Sequence, residues 1–476
     1  MFIKLDETLP PPSHIVLNTT FTILCISLLI LLLLGISLFY SGLTQRKSTF
    51  QQLGTPFITT AIIFPLWLCF GYTLCFSNSG PSHYLGNFEN IGLRYLSSSI
   101  YVSPITNTNL TQIIQSTDDL ANLSSPAATQ GVLSLVHAVF QGFFACICCA
   151  LALGCIVDRG RLFPCFIFVV CWLFLVYCPI CYWIWNENGW IYKKLNVLDI
   201  AGGHVVHLVS GLTGFVYSWF LDYRSDKTLL YYRASNLGFV VIGTCMLISG
   251  WIGFNCGSLY AVNLLTVSAL ANTLNCSFIA GLSWFCLDYF MFGIKRISIV
   301  GFCSGCVAGL VAITPGTAFV PFWATFIIGN MSGVLCNLAT RFKYWVKVDD
   351  ALDIFAIHFI GGVIGNLLTG LFADKNIAKL GGIDIDGGWL NHNYIQLLDQ
   401  FLSTLAVVAY TFFMSFVLLL IINKIPYCQL RVTPEEELKG MDESQIGSEY
   451  INDYIEFIRE IDPSDYGIES QISKSD

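Results

Sequence analysis

Apolar residues in this chain fall in long, nearly unbroken runs, not in the alternating or every-third-residue patterns of soluble strands and helices. A helix that crosses a bilayer needs about 20 mostly apolar residues. Eleven runs meet or approach that length: about 21–42, 53–77, 128–156, 162–184, 200–222, 236–256, 266–289, 298–314, 321–341, 353–374 and 400–423. The longest break between them is a polar loop of about 78–127. The pattern predicts an all-α integral membrane protein with eleven transmembrane helices.

Basic residues orient these spans. With the N-terminus outside, the cytoplasmic loops hold Arg46, Lys47, Arg159, Arg161, Arg224, Lys227, Arg233, Lys295, Arg296, Arg341, Lys343 and Lys347. The opposite side holds only Lys4, Arg94, Lys193, Lys194, Lys375 and Lys379. Twelve against six satisfies the positive-inside rule and places the C-terminus in the cytoplasm. The expected layout is an extracellular N-terminus (1–20), a membrane domain (21–423) and an acidic cytoplasmic tail (424–476) with 13 of the 31 acidic residues. The sequons at Asn18, Asn109 and Asn122 fall on the outer side, making those asparagines candidates for N-glycosylation.

Composition agrees. Only 11% of the 476 residues are charged, against roughly 25% in soluble domains. A net charge of −8 excludes a basic nucleic-acid surface. Most of the 19 cysteines sit inside apolar runs, where they read as small packing residues. Cys178-Pro-Ile-Cys181 has the spacing of a redox or zinc pair, but no second pair accompanies it, so no metal and no cofactor is expected. Met1 to Leu17 is polar and proline-rich, unlike a cleavable signal peptide.

Two of these apolar runs contain histidine. One reads Asp199-Ile-Ala-Gly-Gly-His204-Val-Val-His207, the other Asp353-Ile-Phe-Ala-Ile-His358-Phe359-Ile-Gly-Gly. Ionisable rings inside a span are expensive and usually line a path or a polar contact. They belong to the fifth and tenth spans, which enter from opposite sides, so the motif recurs upside down. That predicts an inverted repeat of spans 1–5 and 6–10 with its site near the midplane. His207 then lies roughly 12 Å below Asp199, and His358 roughly 8 Å above Asp353. Gly202, Gly203, Gly211, Gly361 and Gly365 permit close backbone approach.

Ordered motifs along nearly the whole chain carry a family resemblance. They are Phe140-Gln-Gly-Phe-Phe144-Ala; Tyr177-Cys-Pro-Ile with Trp185; Asp199-x-Ala-Gly-Gly-x-Val-Val-His207; Gly253-Phe254-Asn-Cys-Gly-Ser258; Ala308-Gly-Leu-Val-Ala-Ile-Thr-Pro315; and Asp349-Asp350-x-x-Asp353 before His358. The chain resembles the ammonium transporter (Amt/Mep/Rh) family, most nearly its fungal permeases. The resemblance implies a channel-like transporter of the plasma membrane, not an enzyme and with no catalytic residue, that takes ammonium or methylammonium as substrate and assembles as a homotrimer in the lipid bilayer. It makes His207 and His358 the twin histidines of the pore, Trp185, Ser258 and Phe140 an outer recruitment site, and Phe144 with Phe254 a phenylalanine gate. Asp199 and Asp353 become structural acids in inverted positions.

The physical chemistry of these residue types suits that chemistry. A bare cation in a low-dielectric pore is costly, whereas ammonia can pass neutral while imidazoles carry the proton, since one ring nitrogen donates as the other accepts. An indole face holds a cation by about 1–2 kcal/mol. Some positions depart from the family pattern. His204 is a candidate third ring in the path or a helix contact, Phe359 stands where glycine is usual, His137 is unplaced, and Asp158-Arg159 stands for Glu-Arg. The segment Arg431 to Asp442 resembles the family's docking tail, which implies a cytoplasmic regulator or kinase, with Ser470, Ser473 and Ser475 as candidate sites. No Gly-x-x-x-x-Gly-Lys-Ser/Thr run occurs, so direct ATP drive is not expected. The alternatives are an ammonium sensor on the same fold with little transport, and an Rh-type gas channel, which Trp185 and Ser258 disfavour. An intramembrane hydrolase lacks the clustered groups it would need.

Overall fold

The computed structural model describes residues 2–4, 11–77, 82–102, 131–225, 233–291 and 295–447. Asn109, Asn122 and the tail serines Ser470, Ser473 and Ser475 lie outside them. The described chain is mostly helical. Nine of its helices are long and apolar enough to cross a membrane: α1 (Ser13–Leu43), α2 (Arg46–Phe76), α3 (Ser134–Ile156), α4 (Leu162–Lys194), α5 (Gly203–Leu221), α6 (Leu237–Gly257), α7 (Leu264–Met291), α10 (Phe355–Phe372) and α11 (Tyr394–Lys424). The eighth and ninth expected spans are shorter helices, α8 (Ile299–Ile313) and α9 (Ala324–Ala339). At 1.5 Å per residue they reach only about 22–24 Å, less than the roughly 30 Å of a hydrocarbon core. Two tail helices follow, α12 (Pro434–Lys439) and α13 (Met441–Gln445).

Where the helices begin follows from local chemistry. α1 starts at Ser13, earlier than its apolar run, because Asn18 and Thr19 bond to neighbouring strands and loops instead of to water. α4 bends at a π-helical turn, Leu173–Tyr177, just before Pro179. Proline has no N–H for the carbonyl four residues back, and the Tyr410 hydroxyl of α11 donates to that Leu175 carbonyl at 2.8 Å instead. At the Trp185 end a small antiparallel sheet joins β1 (Phe2–Lys4), β2 (Ser99–Tyr101) and β3 (Val132–Leu133) in that order, with Phe2 opposite Tyr101.

Three of the helices that hold the site, α3, α5 and α10, are the most buried of the long apolar helices. α3 is 89% buried over its most apolar window, against 33% for α11. α1 packs along α6, where a Cβ on Gly250 would sit 2.6 Å from Leu32 Cα. α5 packs along α10 through Gly211, whose missing Cβ makes room for the backbone of His358 and Phe359. The N-terminus of α1 and the C-terminus of α11 lie at opposite ends of the bundle, since Asn18 meets Val262 while the tail meets Phe50 and Gln51.

Candidate functional site

Both histidines sit in π-helical turns, Gly203–Leu208 and Phe355–Ile360, each set up by an upstream carboxylate. Gly202, at φ 106, starts the first turn in a backbone region that favours glycine. Asp199 Oδ1 accepts from the amides of Gly202 at 2.7 Å and Gly203 at 2.8 Å, while Oδ2 accepts from His204 N at 2.7 Å. This caps the open helix start. In the second half the cap is Asp350, whose Oδ2 accepts from Phe355 N at 2.8 Å. The inverted counterpart of Asp199 is therefore Asp350, not Asp353, which instead pairs with Lys343 at 2.7 Å. The spacing carried this signal, because Asp199 precedes His207 and Asp350 precedes His358 by the same eight residues.

The two rings meet. His358 Nδ1 lies 3.3 Å from His207 Nδ1, and the ring planes differ by 25°. One nitrogen donates and the other accepts, so a proton on either ring has a direct route to its neighbour. His358 Nε2 is 2.8 Å from the Tyr40 hydroxyl. His207 Nε2 is buried without a protein partner, and the ring stacks on Trp251 at 5.2 Å and 17°. The Trp251 indole donates to Thr314 Oγ1 at 2.9 Å, which fixes that wall. Both histidines line a narrow cavity of about 10 Å³, room for little more than one water-sized molecule, whose other walls include Leu32, Ile36, Ile147, Leu151 and Val307. A neutral molecule suits such walls; a bare cation does not.

A file of rings leads into the cavity from the Trp185 end. Phe140 contacts Phe144 at 4.9 Å, and Trp185 meets Phe144 edge-on at 6.0 Å. Phe144 and Phe254 stack at 4.0 Å and 11°, and Phe254 lies 5.9 Å from His207. Ser258, one turn beyond Phe254 on α6, donates its hydroxyl hydrogen to Phe254 O at 2.8 Å. Its oxygen lone pairs remain available to an N–H donor. The Trp185 indole donates to Asp199 O at 2.8 Å, fixing the ring.

Other expected residues sit elsewhere. His204 is not a ring of the cavity: Nδ1 meets Asp199 Oδ2 at 3.2 Å, and Nε2 meets Ser403 Oγ at 3.0 Å and Thr404 Oγ1 at 3.1 Å on α11. It lies on the side of α5 that faces α11, away from His358. Phe359 stacks on Phe355 at 4.8 Å and does not line the cavity. His137 stacks on Tyr101 at 3.4 Å and bonds the Tyr72 hydroxyl at 2.9 Å, above the ring file. Asn18 is 4% exposed and its amide nitrogen donates to Gly131 O at 3.3 Å, so the sequon nitrogen is already engaged in packing. Among the described residues no three His, Cys, Asp or Glu side chains cluster as a metal site. Tyr40 and Trp251 had no sequence signal beyond the Trp251-x-x-Phe254 spacing, being two among 21 tyrosines and 11 tryptophans.

At the opposite end the tail is docked. Asp442 accepts from Phe50 N at 3.0 Å and Gln51 N at 2.7 Å, at the start of α2. Lys47 Nζ donates to Glu437 O and Leu438 O, both at 3.0 Å. Arg161 pairs with Glu436 and Arg431 with Glu437. Beneath, Arg224 holds Asp349 through Nε at 2.7 Å and Nη2 at 2.9 Å, and reaches Asp158 at 2.9 Å. Burial alone pushes the Asp349 carboxyl up, but the Arg224 hydrogen bonds and the Arg159 charge hold it down at about 2. Burial, with the charge of Asp353, pushes Asp350 up to about 6.

Comparison with known proteins points to one family. The model of the Ammonium Transporter Family covers residues 20–450. Ammonium transporter 1 of Schizosaccharomyces pombe is 41% identical over 423 residues, 88% of this chain and 79% of that protein. Ammonium transporter MEP1 of Saccharomyces cerevisiae is 36% identical over 461 residues, 96% of this chain and 87% of that one. The crystal structure of Saccharomyces cerevisiae Mep2 superposes with a TM-score of 0.77 at 35% identity, covering 88% of this chain and 90% of the other.

Proposed function

The chain belongs to the ammonium transporter family, a family of transporters and not of enzymes, and on that premise we propose that it conducts ammonium across the plasma membrane through a twin-histidine pore. The observation that carries this reading is the 3.3 Å contact between His358 Nδ1 and His207 Nδ1 inside an apolar cavity. Ammonium is recruited between the Trp185 face, Phe140 and the Ser258 oxygen, where a cation–π contact is worth about 1–2 kcal/mol. Its proton passes to His207 at Nε2, which has no protein partner, because the apolar passage beyond disfavours charge. Ammonia passes Phe144 and Phe254 as the rings swing aside, and the proton moves separately from His207 to His358. The Tyr40 hydroxyl occupies the far nitrogen of His358 and must rotate for the proton to leave.

The same premise supports eleven spans with the N-terminus outside, a membrane domain over 21–423, a homotrimer, glycosylation in the 78–127 loop, and a cytoplasmic tail over 424–476 that a regulator or kinase reads. The second reading, an ammonium sensor, is favoured by the docked tail, whose contacts tie α12 and α13 to the inner ends of α2 and α4. Expression in a cell lacking its own ammonium transporters separates the two. Transport predicts saturable methylammonium uptake and growth on low ammonium. No uptake with surviving ammonium-dependent signalling would overturn it in favour of the sensor.

A further inference from the structure

We propose that His204 is a positioning residue for ammonium recruitment, through which α11 sets the carboxylate and carbonyl of Asp199 and so the indole of Trp185. The inference rests on the recruitment role proposed above for Trp185, but the geometry behind it is independent of that role. One face of α11 grips the segment before α5. Gln396 donates to Asn196 O at 2.8 Å, Gln400 donates to Leu198 O at 2.7 Å, and Ser403 and Thr404 meet His204 Nε2 at 3.0 and 3.1 Å. Positions 396, 400, 403 and 404 fall on one helical face, so this is a polar stripe on the buried side of α11.

His204 closes the arrangement from the other side. A carboxylate oxygen only accepts, so Nδ1 carries the hydrogen toward Asp199 Oδ2 at 3.2 Å, and in the neutral ring Nε2 accepts. Ser403 Oγ donates to Gln400 O at 3.0 Å, which leaves the Thr404 hydroxyl as the donor to Nε2. Both ring nitrogens are thus engaged, and the ring is fully buried. Asp199, held by His204 and its own three amide bonds, presents its backbone carbonyl to the Trp185 indole at 2.8 Å. The chain of contacts runs from Thr404 through His204 and Asp199 to Trp185, and it bypasses the cavity. A role in recruitment without a role in the proton path is therefore expected.

The test is methylammonium uptake by the full-length protein in transport-null cells, with surface amounts measured in parallel. His204→Val removes both hydrogen bonds at similar volume and should raise KM about five- to tenfold, as expected for two lost bonds, with maximal rate per molecule within about twofold. His204→Asn keeps a donor at the Nδ1 position and should recover most of the affinity. Ser403→Ala with Thr404→Val should raise KM less, and combined with His204→Val should add nothing. An unchanged KM in His204→Val, additive effects, or a lost maximal rate at unchanged KM would overturn the proposal, the last by placing His204 in the conduction path. If His204→Val does not reach the surface, the Ser403→Ala/Thr404→Val pair decides alone, an unchanged KM counting against. If the wild-type chain takes up no methylammonium and its purified form shows no ammonium-dependent change in tryptophan fluorescence, the recruitment reading itself fails. Binding or uptake by wild type with an unaltered His204→Val removes this inference only.

Discussion

Asp349 shows how much a single carboxylate can hold at the tail end of the bundle. Its pKa is held down at about 2 by Arg224 and Arg159 against a usual value of 3.8, a difference equivalent to about 2 kcal/mol. A depressed acid contributes its stability above the unfolded value and loses it as pH falls through the folded one. Asp349→Asn is therefore expected to lower the thermal midpoint of the detergent-solubilised protein at neutral pH, with the difference from wild type shrinking as pH falls from about 4 toward 2. Thermal scans of both proteins across that range check it. Residues of this kind were unevenly legible in the sequence. His207, His358, Trp185, Phe144 and Phe254 stand in ordered motifs, and the structure joins them in one file. Asp353 is the acid nearest to His358 in sequence, but the equal eight-residue spacing belongs to Asp350, which caps the turn, while Asp353 pairs with Lys343. Tyr40 was invisible, because its value lies in a contact with a residue 318 positions away.

Among the helices, the close crossing of α5 and α10 is the most exacting element. A side chain at Gly211 would enter the backbone of His358 and Phe359, and such overpacking costs about 1–3 kcal/mol or more. Gly211→Val is expected to separate the two histidine helices, abolishing uptake and broadening the monodisperse peak in size-exclusion chromatography. A variant that folds and transports normally would show that the helices do not need this crossing. The apolar runs located these helices well, since length and hydropathy alone mark a span. The π-helical turns at both histidines and before Pro179 were not legible. When nearly every position is apolar, periodicity no longer reports which residues face inward. α8 and α9 are likewise shorter than their apolar runs suggested.

For the molecule as a whole, the tail ties together parts of the chain that the sequence leaves far apart. Asp442 caps the start of α2, and Lys47 holds the last turn of α12. Removing residues 430–476 is expected to change uptake severalfold while the membrane domain still reaches the surface. Unchanged uptake and regulation would dismiss tail control. Asp442→Ala, losing two charge-assisted bonds of about 1.5–3 kcal/mol each, is expected to shift uptake in the same direction and to speed proteolysis of the tail. The most direct measurement of the pore chemistry is ammonium-evoked current, recorded from the purified protein in proteoliposomes beside substrate uptake, for His207→Ala and His358→Ala. A separate proton path predicts that each substitution cuts the current at least tenfold or lets potassium carry it. Wild-type current and undiminished selectivity against potassium in both variants would contradict it.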